Sequence, residues 1–309
     1  MKKRGSIAFF AAMFAAASLF TACKKDKAPE GVDFREEMRT LVEEISTTAR
    51  ATDADFIVIP QNGLSLLSSD GETSGSAASG YISAISGVSQ EDVNFGYEKD
   101  NVATPSADRD YLHSWLDYAR AQGVTAMVTD YCSDAANINS SYSINDGKGY
   151  IGYAADDREL KQISSLPSPI HNENDSVITR LDQIRNYVYL INPENFATKQ
   201  DYINAVTATN STCCHGTLLQ RREHVHRAEV EALRTKANGG RRLVISYMSI
   251  GEAEDYRYYW DKDWKFKNPE RLRRENSSWK GNYKVWYGAR RKSIIYSADS
   301  YLGPSECRV

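Results

Sequence analysis

Leu243-Val244-Ile245-Ser246-Tyr247-Met248-Ser249-Ile250-Gly251-Glu252-Ala253-Glu254-Asp255-Tyr256-Arg257 begins as a short apolar run and then turns polar and acidic. An unbroken apolar run of this length predicts a strand covered on both faces, because a strand with one wet face alternates. Upstream, Ala228 to Ala237 has helical spacing and ends in Asn238-Gly239-Gly240, a helix stop with no phosphate-cradling sequence after it. Helix, stop, buried strand and polar exit make one unit of a parallel α/β fold.

The same unit recurs along the chain. Phe56-Ile57-Val58-Ile59 reads as a strand leaving through Pro60-Gln61-Asn62, and Gly87 to Tyr97 as a strand carrying Gln90-Glu91-Asp92. Val124 to Val128 leads into Thr129-Asp130-Tyr131, and Tyr187 to Ile191 leads into Asn192-Pro193-Glu194. Helical spacing is predicted over 34–50 (Met38, Leu41, Val42, Ile45), over 108–122 and over 177–184. Residues 132–174 read as a long polar stretch. Helices and short apolar strands in alternation predict an α/β protein of the (β/α)8 TIM-barrel type, with its chemistry where the strands end.

Acids and amides gather at those ends, which makes Gln61, Asn62, Glu91, Asp130, Tyr247, Glu252, Glu254 and Arg257 the candidate site residues. A rim of carboxylates and tyrosines suits glycosidic bond cleavage, where one acid protonates the leaving oxygen and another stabilises or attacks the oxocarbenium-like centre. Glu254 and Arg257 stand one turn apart if the segment is helical, so an ion pair between them is the competing, purely structural role.

Composition narrows the classes. With 38 basic against 41 acidic residues there is no global field for nucleic acid, and 41% apolar content excludes wholesale disorder. Five Cys in 309 residues make no disulfide framework. Cys213, Cys214, His215, His224 and His226 lie close together, but adjacent cysteines suit one ion poorly and the spacing fits no standard zinc site, so neither metal nor cofactor is expected. At the start, Lys2-Lys3-Arg4, the uncharged run Ile7 to Phe20 and then Leu19-Phe20-Thr21-Ala22-Cys23 have the layout of a bacterial lipoprotein signal. The expected organisation is a signal peptide over 1–22, lipidation at Cys23, a tether over 23–33 and a domain over 34–309. That places the protein outside the cytoplasm, anchored to the cell envelope through lipid.

The segment 243–257, together with Trp279-Lys280-Gly281-Asn282-Tyr283-Lys284-Val285, Phe56 to Gly63 and Gln90-Glu91-Asp92, resembles the glycoside hydrolase family 114-like TIM barrels, the endo-α-1,4-polygalactosaminidase family. The resemblance implies a (β/α)8 barrel, circularly shifted here, and hydrolysis of α-1,4-linked galactosamine polymers by an Asp and a Glu. By position it implies that Glu91 is the general acid/base, with Tyr247, Glu252, Glu254 and Arg257 on the substrate-facing loop. An acidic rim suits a substrate with free amines.

The chain departs from that pattern in two places. No Gly-Val-Tyr-Leu-Asp-like strand supplies the partner Asp, the chain running instead through Ser300-Tyr301-Leu302 to Val309. Between Thr209 and Arg227, Cys213-Cys214-His215 and Gln220-Arg221-Arg222 stand where relatives carry an apolar strand. The expectation is therefore an incomplete barrel with an irregular segment over 209–227 and little hydrolase activity. The alternative is a lipid-anchored carbohydrate-binding protein without catalysis.

Overall fold

The computed structural model describes Gly31 and residues 33–216, 219–220, 223–257, 259–267, 269, 272–277 and 279–285. Lipidation at Cys23 and the signal peptide lie outside the described residues, as does the chain from Trp286 to Val309. The chain divides into residues 1–34 and 35–309, and everything below concerns the second unit.

Helix α1, Phe34–Arg50, has the bounds its spacing predicts and buries Leu41 and Val42. Its Arg39 is also buried, donating from Nε to the Leu66 carbonyl (2.9 Å) and from Nη2 to the Ser68 carbonyl. After a short helix α2, Ser79–Ala84, strand β1 covers Gly87–Glu91. It stops there because Asp92 takes a positive φ of 60°, a left-handed conformation that Asp tolerates better than most residues. Helix α3, Ser106–Ala121, lays Leu112, Trp115, Leu116 and Ala119 over Val88, Ala126 and Val128. Strand β2, Thr125–Tyr131, and strand β3, Ile151–Ala155, complete a parallel sheet in the order β1-β2-β3, with Glu91 opposite Thr129 and Thr129 opposite Tyr153.

The 132–174 stretch, read as long and polar, holds both β3 and helix α4, Ala135–Lys148. The buried face of α4 is Ile138, Ser141, Tyr142 and Asn145, so half of it is polar and the apolar stripe that marks a helix is missing. Val177 to Ile184, expected as a helix, is instead extended apart from one 3-10 turn at Leu181–Gln183, whose Gln183 Oε1 ties down the Thr179 and Arg180 amides.

Strand β4, Val188–Leu190, helix α5, Lys199–Thr207, and strand β5, Cys213–Gly216, follow. Thr198 and Asp201 cap α5 reciprocally: the Thr198 hydroxyl accepts from the Asp201 amide (3.1 Å) and the Asp201 carboxylate from the Thr198 amide (3.0 Å). Beyond a two-stranded ribbon, β6 Leu219–Gln220 with β7 Glu223–His224, come helix α6, Arg227–Leu233, and strand β8, Leu243–Ser246. β4, β5 and β8 form a second parallel sheet with β5 at its centre. The irregularity expected over 209–227 therefore spares Cys213–Gly216. Cys213 and Cys214 are small and fully buried, and they fill the strand position as apolar residues would. Finally β9 Glu252–Glu254, β10 Leu272–Glu275 and β11 Asn282–Val285 make an antiparallel sheet in the order β10-β11-β9.

This corrects the TIM-barrel expectation. Among the described residues the strands form two separate three-stranded parallel sheets and no closed barrel. Closure needs every strand paired on both edges. The strand expected at Phe56-Ile57-Val58-Ile59 is not formed: the chain from Val58 to Asn62 lies along β1 through Val58 O, Pro60 O and the Asn62 amide without joining a sheet strand, and Pro60 has no N–H to give. After β8 the chain turns to antiparallel pairing.

Candidate functional site

The pleat of the first sheet decides which strand-end residues meet. Registered neighbours share a face and successive residues alternate, so Glu91, Thr129 and Tyr131 point to one side and Asp130 to the other. On the first side the Tyr131 hydroxyl donates to Glu91 Oε1 at 2.5 Å, a short O–H···carboxylate bond. Burial pushes the Tyr131 phenol up, and the Glu91 charge adds to the shift. The Tyr189 phenol is raised in the same way, by burial first and Glu91 second. Burial also raises Tyr247, with Glu254 and then Glu91 contributing, so Tyr247 stands within the field of both carboxylates. The half-buried Glu91 carboxylate bonded to Tyr131, with Tyr189 and Tyr247 within its field, is the core of the candidate site.

Gln61 and Asn62 lie beside it. Gln61 makes a parallel bridge with Ser89, and Asn62 Oδ1 accepts from the Glu91 amide at 3.4 Å. The structure also brings in Arg158, in the loop after β3. Its guanidinium lies 3.9 Å from the Tyr131 ring centroid and donates to Asp92 Oδ1 (2.8 Å) and Oδ2 (3.3 Å), to Asp100 Oδ1 (2.7 Å) and to the Gly96 carbonyl (2.8 Å). Burial works against its charge, but Asp92 and Asp100 outweigh that and hold it firmly protonated. Nothing in the sequence near Glu91 points to this residue.

Gly96 makes that approach feasible. Its φ is +115°, and a Cβ there would overlap the Asp92 carboxylate and lie 2.9 Å from Arg158 Nη2 and 3.1 Å from Tyr131 Cβ. Gly96→Ala is therefore expected to lower the unfolding free energy by about 2 kcal/mol through backbone strain and displacement of the Arg158–Asp92 pair. Thermal unfolding of the two proteins side by side checks it, and an unchanged midpoint would contradict the packing described.

The remaining candidates are held by the protein itself. Asp130 is fully buried on the opposite face, where it accepts from the Asn94 amide (2.7 Å), Asn94 Nδ2 (2.9 Å), the Phe95 amide (3.3 Å), the Ser141 hydroxyl (2.6 Å) and Asn145 Nδ2 (3.4 Å). Burial pushes its carboxyl up while these donors pull it back. Asp130 therefore does not face Glu91; it fastens the loop after β1 to helix α4. Glu252 takes Asn276 Nδ2 (2.6 Å) and Asn282 Nδ2 (3.1 Å) within the antiparallel sheet. Glu254 is bound by Arg257 Nε at 2.5 Å and by the Tyr256 hydroxyl at 2.7 Å, and both members of the ion pair are nearly buried. The segment is not helical: strand β9 is followed by a turn, and the turn supplies the pairing. Burial opposes the Arg257 charge, and Glu254 more than compensates. The Cys213 and Cys214 thiols are pushed up by burial, and Cys214 Sγ lies 3.9 Å from the Tyr202 hydroxyl.

No protein-family model matches the chain. Its similarity to known proteins is local. It is 41% identical over 70 residues to an uncharacterized protein of Methanocaldococcus jannaschii, covering 22% of this chain and 20% of the relative. It is 46% identical over 57 residues to one of Thermotoga maritima (18% and 17%) and 46% over 55 residues to one of Deinococcus radiodurans (18% and 17%). The chain thus covers a fifth or less of the length of these relatives, and none of their names states an activity.

Proposed function

We propose that this protein is a lipid-anchored glycoside hydrolase-like protein of the bacterial cell envelope, outside the cytoplasm, acting on an amino-sugar polysaccharide with Glu91 as its acid/base. The observation that carries the reading is the Glu91 carboxylate, fixed by the Tyr131 hydroxyl at 2.5 Å and neighboured by Tyr189 and Tyr247. A carboxylate set among tyrosines offers a proton-transfer group beside amphipathic rings that suit the faces and hydroxyls of a sugar. The resemblance in segment 243–257 supplies the polymer class, an α-1,4-linked galactosamine chain. The envelope location rests on the sequence ending in Cys23.

A second reading, carbohydrate binding without catalysis, is favoured by one observation: the carboxylates of Asp92 and Glu254 are both engaged by guanidiniums, of Arg158 and Arg257. Two-carboxylate hydrolysis needs a second acid free to act. Titrating the purified chain with α-1,4-galactosamine oligomers, while following heat of binding and release of reducing ends, tests both. Binding with release supports hydrolysis, binding alone supports the second reading, and absence of both rejects the carbohydrate assignment.

A further inference from the structure

We propose that Arg158 is a positioning residue that acts through Tyr131: stacked on the ring and clamped by Asp92 and Asp100, it keeps the tyrosine hydroxyl on Glu91. The proposal deepens the reading of Glu91 as the working carboxylate and rests on it for significance, though the geometry needs no substrate.

A guanidinium carbon 3.9 Å from the Tyr131 centroid covers one face of that ring, while its edge nitrogens are spent on Asp92, Asp100 and the Gly96 carbonyl. Arg can stack and form a forked bond at once because its charge is flat and its donors are fixed in a rigid array; Lys, a point charge on a flexible stem, can do neither in the same way. The clamp is also tied to Glu91 by the chain itself, since Asp92 directly follows Glu91. Arg158 therefore braces both ends of the 2.5 Å bond, the donor through its ring and the acceptor through the next residue. The Tyr131 backbone is fixed separately, its amide to the Phe95 carbonyl (3.1 Å) and its carbonyl to the Asn101 amide (3.0 Å), which leaves the ring orientation as the freedom Arg158 removes.

A short hydroxyl-to-carboxylate bond has a proton NMR signature, a far-downfield hydroxyl resonance slow to exchange with water. The parent protein should show one, and Tyr131→Phe should remove it and so assign it. Arg158→Lys keeps the charge but loses the plane, and is expected to lose the resonance or shift it upfield. Asp92→Asn, which keeps the shape and weakens the clamp, should do the same and serves if Arg158→Lys fails to fold. A merely structural ion pair would lower the melting temperature in both variants without moving the signal. An unmoved resonance in folded Arg158→Lys or Asp92→Asn overturns the proposal, as does its absence from the parent. No saccharide enters the measurement, so its failure is distinguishable from failure of the hydrolase reading, which the oligomer titration decides.

Discussion

Asp130→Ala is expected to lower the unfolding free energy by about 4 kcal/mol, a large part of the 5–15 kcal/mol that holds a typical domain together. The carboxylate accepts from two backbone amides, those of Asn94 and Phe95, and from the Ser141 hydroxyl, all in a fully buried setting. Each buried donor left unmatched costs about 1–3 kcal/mol. The neighbouring side-chain amides lose less: Asn94 Nδ2 keeps Asn145 Oδ1 at 3.1 Å, and Asn145 Nδ2 keeps the Ser141 hydroxyl at 3.3 Å. Asp130→Asn should fall between, because its carbonyl oxygen can still take the two backbone amides while its NH2 faces other donors. Urea unfolding of the three proteins measures the series. If alanine and parent unfold within about 1 kcal/mol of each other, the buried network does not hold the loop after β1 to helix α4 as described.

That network also shows why the sequence misleads at Asp130. The expectation that polar residues at strand ends share one face holds for Glu91 and Tyr131, which bond to each other. It fails for Asp130 because the pleat sends residue 130 to the face opposite residue 131, and parity was available from the alternation alone. Helix α1 and the strand at 243–246 are legible because their own residues carry the full pattern. Helix α4 is not, since Ser141 and Asn145 on its buried face are satisfied by Asp130, a partner that only the fold reveals. The cap of α5 is legible locally, as Thr198 followed three residues later by Asp201 is a helix-start signal. Arg158 reaches Asp92 across 66 positions of sequence, and no local spacing announces it. Barrel closure is equally non-local: a strand such as β8 can be read from its own residues, but whether both edges of a sheet find partners depends on Pro60 and on the antiparallel strands after β8.

Glu91→Gln is expected to reduce any release of reducing ends from galactosamine oligomers by at least about 10³-fold while leaving their binding within a few-fold of the parent. The substitution keeps the size of the side chain and an oxygen able to accept the Tyr131 hydroxyl, so the sheet end and the Tyr131 contact stay in place. It removes the group that gives and takes the proton, a contribution of about 10²–10⁴-fold where one positioned acid/base works alone. The upper part of that range is expected because, among the described residues, Asp92 is held by Arg158 at 2.8 Å and Glu254 by Arg257 at 2.5 Å, so neither is free to substitute. On the proposed reading these two ion pairs would slow hydrolysis in the parent as well, so the decisive quantity is the ratio between parent and variant at saturating oligomer. A ratio below about tenfold would remove Glu91 from the chemistry and favour the reading of carbohydrate binding without catalysis.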